Sequence, residues 1–474
     1  MIPQFETSYS KLPKILHRTV SASNVSNPRF AVVNPKLAKN IGIDPQWLDS
    51  QETLQALSGN ITMPQVPAIA MAYAGHQFGH FVPSLGDGRA FLLGEIVGPD
   101  GVRRDLHLKG SGRTVYSRGG DGRATLKAML REYIISEAMA GLGIPTTRSL
   151  AVVATGEIVP RELPEPGAVL TRVARSHVRV GTFQYLAARG EIAALEALVD
   201  YEVARNFPDA RQGPTRFLWF LSEVIARQAT LIAQWMCVGF IHGVMNTDNM
   251  SVCGETIDYG PCAFIDAFHP QKVFSSIDEH GRYAWDKQPT IALWNLTRLA
   301  EALLPLFDAD GAVAISFAET ELRKFLPMFE NAFEAGMMRK LGSALRQESD
   351  GEFIATTLMA MTDGQADFTN FFVALTDGAS LQDFFKDDAA YLAWVEKWHA
   401  QVPNPDRTMM QASNPRFIAR NHRVEQALEA ARNGDMSLVT KLVEIVARPF
   451  DRHDAEYTNP PLADEEVYAT FCGT

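Results

Sequence analysis

The sequence predicts an α+β protein of two lobes. A small lobe holds an antiparallel sheet and one helix; a large, mainly helical lobe follows, with a C-terminal helical extension. Three observations carry this. Short alternating segments joined by glycine turns fall between residues 90 and 173 and read as strands. One long helical pattern, residues 123–142, interrupts them and ends at Gly141 and Gly143-Ile144-Pro145. From about Ile192 onward apolar residues recur mainly at helical spacing. A chain of 474 residues can bury more than one core. We divide it into an N-terminal extension (1–60), a small lobe (61–190) and a large lobe (191–474).

Composition narrows the function. Hydrophobic residues make up 46% and charged residues 21%, as in ordinary soluble globular chains. A net charge of −11 argues against nucleic acid or an acidic membrane surface as partner. No apolar run is long enough to span a bilayer, and residues 231–241 are broken by Gln234 and Gly239. Pro3, Glu6 and Pro13 stand where a signal peptide needs apolar residues, and arginine is scarce there, so a cytoplasmic location is expected. Cys237, Cys253, Cys262 and Cys472 form no C-x-x-C pair, which argues against structural zinc and against a disulfide scaffold.

Taken in order, residues 1–60 carry Asn27-Pro28, Asn34-Pro35 and Asp44-Pro45, which predict a partly irregular extension with short helices near 35–41 and 51–57. His76 and His80 are four apart and would share a helical face, although the glycines around them suit a packed loop equally well. Gly86-Asp87-Gly88-Arg89 and Gly120-Asp121-Gly122-Arg123 are near repeats. Gly-Asp-Gly is turn chemistry whose backbone N–H groups can face an anion. Segments 91–97 and 105–109 alternate like strands around the turn Gly98-Pro99-Asp100-Gly101, with Leu106 and Leu108 on one face and His107 and Lys109 on the other.

From Arg103 to Arg131 eight basic residues stand against two acids, a local charge of +6 in an acidic chain. Such a cluster within glycine-rich sequence points to a polyphosphate. On the helix 123–142, Leu126, Leu130, Tyr133 and Ile134 form the apolar stripe. Glu132 lies on its flank, while a step of about 100° per residue brings Glu137 near its centre. Strands are expected over 149–155 and 167–173. Arg172, Arg175 and Arg179 then follow at i, i+3 and i+7, a spacing that a helix would align on one face toward a phosphate. A long apolar helix over 217–240 leads into His242. Further helices are expected over 291–304, 319–326, 331–345, 389–401, 423–433 and 437–446, and residues 279–285 read as part of the same helical lobe.

The segment from His242 to Asn249, followed nine residues later by Asp258-Tyr259-Gly260, has the spacing of a protein-kinase catalytic loop and its metal-binding Asp. Residues 250–252 and 256–257 read as two strands of a hairpin that would bring Asn249 and Asp258 together. The position where such loops carry their Asp holds Val244, which accepts no proton; the nearest carboxylate is Asp248. Oxygen ligands such as Asn249 and Asp258 suit Mg²⁺.

Blocks at 73–78, 85–90, 108–112, 116–124, 131–132, 143–147, 176–181, 242–250, 257–261 and 281–283 resemble those of the selenoprotein O family, protein adenylyltransferases with a kinase-like fold. The resemblance implies ATP bound in reverse, AMP transfer to Ser, Thr or Tyr hydroxyls of protein substrates, and release of pyrophosphate. It implies Asp248 as catalytic base, Asn249 and Asp258 as ligands of Mg²⁺ (or Mn²⁺), and Lys109, Arg172 and Arg179 as phosphate contacts. It further implies Glu132 as the partner of Lys109, with Gly86, Gly88, Arg89, Asp121 and Gly122 at the nucleotide. Cys472 occupies the place of a selenocysteine in some relatives. The Cys with which it pairs in bacterial relatives has no counterpart in residues 271–276. Phosphoryl transfer to a small molecule or protein, UMP transfer from UTP, and nucleotide binding without catalysis are the alternatives.

Overall fold

The structure is a computed structural model. It describes all residues except 1–4, 22, 64–65, 208–212, 214 and 472–474, so the expectation for Cys472 lies outside the described residues. The chain is α+β. Its sheet-forming part runs through β1 (His17–Thr19), β2 (Arg29–Val33), helices α1 (Pro35–Asn40), α2 (Pro45–Leu48) and α3 (Gln51–Leu57), and β3 (Ile69–Met71). It continues through β4 (Gly75–Gln77), β5 (His80–Val82), β6 (Ala90–Val97), β7 (Arg103–Lys109), β8 (Ala124–Thr125), α4 (Leu126–Gly141), β9 (Arg148–Val159) and β10 (Glu165–Ala174). The main sheet has eight strands in the order β1-β3-β6-β7-β10-β9-β2, with β8 beside β10. All of its pairings are antiparallel.

Alternation along β7 explains why the sheet is buried on both sides. Leu106 and Leu108 enter a core shared with Leu37, Trp47 and Leu57 of the N-terminal helices. His107 and Lys109 point the other way, His107 to Arg172 of β10 and Lys109 to Glu132 of α4. The N-terminal extension is only partly irregular, as expected, but it also supplies β1 and β2, which form the two edges of the sheet. α4 starts at Thr125, whose hydroxyl accepts from the Ala128 N–H. It packs on β9 and β10 on one side and on the C-terminal helices Asn421–Arg432 and Ser437–Val446 on the other. Covered from both sides, it buries Glu132 and Glu137 alike, so a single apolar stripe could not choose between them. Each has its own cation: Glu132 meets Lys109 at 2.6 Å, and Glu137 meets Arg148 at 2.6 Å.

The helical part begins with α5 (Val180–Ala187), α6 (Ile192–Asn206) and α7 (Arg216–Cys237). It continues with the short pair β11 (Phe240–Ile241) and β12 (Ala263–Phe264), then α8 (Gln288–Phe307). Further helices between Gly311 and Thr458 complete it, including Asp350–Asp363 and Phe368–Asp377, which the sequence reading missed. Three local expectations are corrected. Arg172, Arg175 and Arg179 share no helix: Arg172 ends a strand, and Arg179 is the N-cap of α5. Residues 250–257 form no hairpin. Ser251 bridges to Arg179 and Thr256 to Thr146, so each half pairs with the sheet-side chain instead. Residues 279–285 are turns, with only a short 3-10 helix at Trp285–Lys287. Among the described residues no helix is long and apolar enough to cross a membrane.

Lys340 offers a test of the core. Its side chain is only 3% exposed, with its ammonium 4.2 Å from the Phe372 ring centroid. Burial pushes it down to about 8 against weaker opposition from Cys237. The fold is therefore most favoured above the unfolded value of about 10.4, loses stability as pH falls toward 8, and carries a constant cost below that. Lys340→Met is expected to raise stability at pH 7 by about 1–3 kcal/mol, with the gain shrinking above pH 8. Chemical denaturation at pH 7 and pH 10 checks this.

Candidate active site

A cleft of about 460 Å³ opens between the sheet and the helical part, a volume suited to a small-molecule ligand. Its lining includes Gly88, Arg89, Lys109, Glu132, Arg172 and Arg179 from the chain before α5, and Asp248, Asn249 and Asp258 from the chain after α7.

Three cations converge on one carboxylate. Lys109 Nζ lies 2.8 Å from Asp258 Oδ1, Arg172 Nη1 lies 2.7 Å from the same oxygen, and Arg179 Nη2 lies 3.4 Å from Oδ2. Glu132 receives Lys109 at 2.6 Å through Oε2 and Arg172 at 3.3 Å through Oε1. Burial works to raise the Asp258 carboxyl, but Lys109, Arg172 and Arg179 outweigh it and hold it well below the usual carboxylate range. Each cation reaches the cleft by a different route. Lys109 ends β7, Arg172 lies near the end of β10, and Arg179 is fixed where its backbone N–H donates to Thr182 Oγ1. Arg179 also stacks over Tyr73, 4.5 Å from the ring centroid. Arg179 Nη1 also lies 3.7 Å from Asp87 Oδ1, so three cations meet three carboxylates in a recess of low solvent access, and the cations are grouped where a polyanion could take the place of Asp258.

The opposite wall carries Asp248. It is 9% exposed, and burial pushes its carboxyl up to about 6, with its own backbone N–H and Arg179 opposing. Gln77 Nε2 donates to Oδ2 at 3.3 Å, and Oδ1 has no protein partner. Gly75 makes room for it: a Cβ there would stand 2.6 Å from Asp248 Oδ1 and 2.9 Å from Leu85. Asn249 donates through Nδ2 to the Val244 carbonyl at 2.9 Å, which leaves its amide oxygen for other partners. His242 is fully buried, 2.9 Å from the Ile257 carbonyl, and stacks on Trp235. It holds the loop and stays out of the cleft lining. A second depression, lined by Phe78, Ile277, Arg282 and Lys287, shares Phe78 and Ile277 with the cleft.

Some expected residues fall elsewhere. Gly86 does not line the cleft; it packs on Tyr116, whose ring a Cβ would strike at 2.3 Å. Asp121 and Gly122 are also outside the lining. Asp121 pairs with Arg161 at 2.8 Å, and the Gly122 carbonyl accepts from the Gly112 N–H at 3.0 Å. Arg175 turns away to the Asn206 carbonyl. His76 and His80 lie on a hairpin rather than a helical face, with His76 held by Gln184 at 2.8 Å. Tyr73, Gln77 and Arg131 fall in motifs marked in the sequence but had no individual role there. Arg131 donates to the Gly260 and Cys262 carbonyls at 3.1 and 2.7 Å, tying α4 to the chain around Asp258. Its place in the basic cluster and beside Glu132 marked it in the sequence, but not this tie to the backbone.

A family model described as "Protein adenylyltransferase SelO" matches residues 1–447. The chain belongs to the SelO family of protein adenylyltransferases. It is 51% identical over 487 residues to a "Protein nucleotidyltransferase YdiU" of Nitrobacter hamburgensis, covering 99% of this chain and 96% of that one. The protein of that name in Rhodopseudomonas palustris (strain BisB5) is 52% identical, with 99% of each covered. Its counterpart in Bradyrhizobium diazoefficiens is 51% identical over 485 residues, again with 99% of each covered. The SelO-family chain is accordingly an enzyme, a nucleotidyltransferase.

The family implies a divalent cation, and the residues present fit one. Asn249 offers an amide oxygen and Asp258 a carboxylate, the hard donors such an ion takes. Among the described residues no three His, Cys, Asp or Glu side chains cluster to hold a metal. An ion at this two-ligand site would draw its other ligands from phosphate oxygens and water. Gly75→Ala in this SelO-family enzyme is expected to lower transfer about 10²-fold by pushing Asp248 aside, with the thermal midpoint shifted only slightly. Activity and calorimetry on the same preparation check it.

Proposed function

We propose that the chain binds ATP in this cleft and transfers AMP to Ser, Thr or Tyr hydroxyls of protein substrates, releasing pyrophosphate. We read the fold as kinase-like and two-lobed, with the sheet as small lobe and the helical part as large lobe. The observation that carries the proposal is the convergence of Lys109, Arg172 and Arg179 opposite Asp248, in a loop whose kinase Asp position is Val244.

In this reading the three cations take the phosphate chain, with Gly88 and Arg89 beside them. Glu132 keeps Lys109 and Arg172 in place when phosphate draws them from Asp258. Asn249 and Asp258 hold Mg²⁺ (or Mn²⁺), which when bound neutralises charge on the phosphates and on the departing pyrophosphate. Asp248 accepts the proton of the acceptor hydroxyl as its oxygen bonds to the α-phosphorus and the bond to the β-phosphate oxygen breaks. Burial raises the basicity of Asp248, which favours that role. The depression beyond Phe78 gives the acceptor side chain a route to Asp248.

The test uses ATP labelled separately at the α- and γ-phosphates. Label from the α-position is expected in protein and γ-label in pyrophosphate; γ-label on protein or a metabolite would establish a kinase instead. Asp248→Asn is expected to reduce transfer by about 10²–10⁴-fold while ATP still binds. Asp258→Ala serves as the inactive control. The YdiU relatives carry the broader name nucleotidyltransferase, so α-labelled UTP in parallel fixes the base preference.

A further inference from the structure

A buried chain of side chains runs from Asp87 through His107 to Arg172, and the reaction as proposed gives no role to its first two members. Asp87 is 1% exposed, His107 0% and Arg172 2%. Asp87 Oδ2 accepts the Met71 N–H at 2.9 Å and lies 3.0 Å from His107 Nε2. On the other edge of the same ring, Nδ1 lies 3.1 Å from Arg172 Nη2. The partners fix the tautomer. Arginine has only donors, so Nδ1 must present its lone pair; an ionised carboxylate has only acceptors, so Nε2 must carry the proton. Burial would raise the Asp87 carboxyl, but His107, the Arg179 guanidinium and the Met71 N–H together hold it below its usual range, which favours the carboxylate. His177 stacks on the ring at 4.3 Å and an interplanar angle of 21°, preventing it from tilting.

We propose that His107 is a positioning residue: Asp87 holds it in the Nε2–H tautomer so that its Nδ1 lone pair fixes one edge of the Arg172 guanidinium and aims the other edge into the cleft. Arg172 Nη1, on that other edge, is the nitrogen that meets Asp258 and Glu132. With Nη2 held from behind, Nη1 keeps its aim when a phosphate replaces Asp258. The guanidinium is then ordered before ligand arrives, and less conformational freedom is lost on binding. This rests on reading Arg172 as a phosphate contact.

Two isosteric variants separate the two edges of the ring. His107→Asn places an amide oxygen where Nδ1 was and keeps the acceptor for Arg172. His107→Gln places an amide nitrogen where Nε2 was and keeps only the donor to Asp87. Asp87→Asn can donate to Nε2 and so favours the opposite tautomer, as in a serine-protease triad whose Asp is replaced by Asn. ATP affinity is expected to fall about tenfold in His107→Gln and in Asp87→Asn, and by no more than about twofold in His107→Asn. His107→Gln should cost nothing further in an Arg172→Ala background. Equal losses in both His107 variants, or an undiminished loss without Arg172, would overturn the proposal. On the unaltered protein, ¹⁵N-histidine NMR should show His107 as the Nε2–H tautomer from pH 6 to 8. A proton on Nδ1 overturns the proposal even where a variant does not fold. None of these measurements uses transfer, so a protein that binds ATP but labels no substrate counts against the proposed reaction alone.

Discussion

Charge taken out of water must be met by charge, and the site is built on that constraint. Lys109, Arg172 and Arg179 repel one another in a recess where solvent screens poorly. Glu132 and Asp258, with Asp87 beside Arg179, hold them together. Removing Glu132 or Asp258 would leave buried cations uncompensated, a loss of about 3–5 kcal/mol for a fully buried pair. The same cations would be attracted to a phosphate chain. Asp258 thus completes the charge balance of the resting protein, and in the proposed reaction the same carboxylate would also turn to a divalent ion.

The rest of the fold can be understood as scaffolding for that balance. β7 and β10 are neighbours in the sheet, with Arg172 opposite His107 in their register, so Lys109 and Arg172 are carried by adjoining strands. The N-terminal helices seal the far face of the sheet with apolar side chains. That burial leaves the near face of β7 free to be polar. α4 brings Glu132 against the cations and Arg131 against the backbone around Asp258, so consecutive residues of one helix join the sheet to the helical part.

Much of this was legible in the sequence, and the losses have physical causes. The β6–β7 hairpin was marked by its Gly-Pro-Asp-Gly turn, and the main helices by their apolar spacing. Glu132 was not separable from Glu137 by periodicity, because α4 is covered on both sides and has no single buried stripe. Regular spacing of Arg172, Arg175 and Arg179 suggested a helix, yet the pairing of Arg172 with β7 and of Arg179 with Ser251 extends the chain there. Gly75, Gln77 and Asp87 stood inside recognised motifs, which gave none of them a role of its own. Their roles depend on what the fold places opposite them, Asp248 for the first two and His107 for the third.

The clamping of α4 has a further consequence. In protein kinases the position of a helix that carries the Glu of a Lys–Glu pair controls activity. Here Arg131 is anchored to two carbonyls of the Asp258 segment and to Glu425, and helices from the far end of the chain press on the same element. An outward swing would tear those bonds and strand several ions together. It would also part Glu132 from Lys109 and Arg172, so the position of α4 and the charge balance of the cleft are tied together.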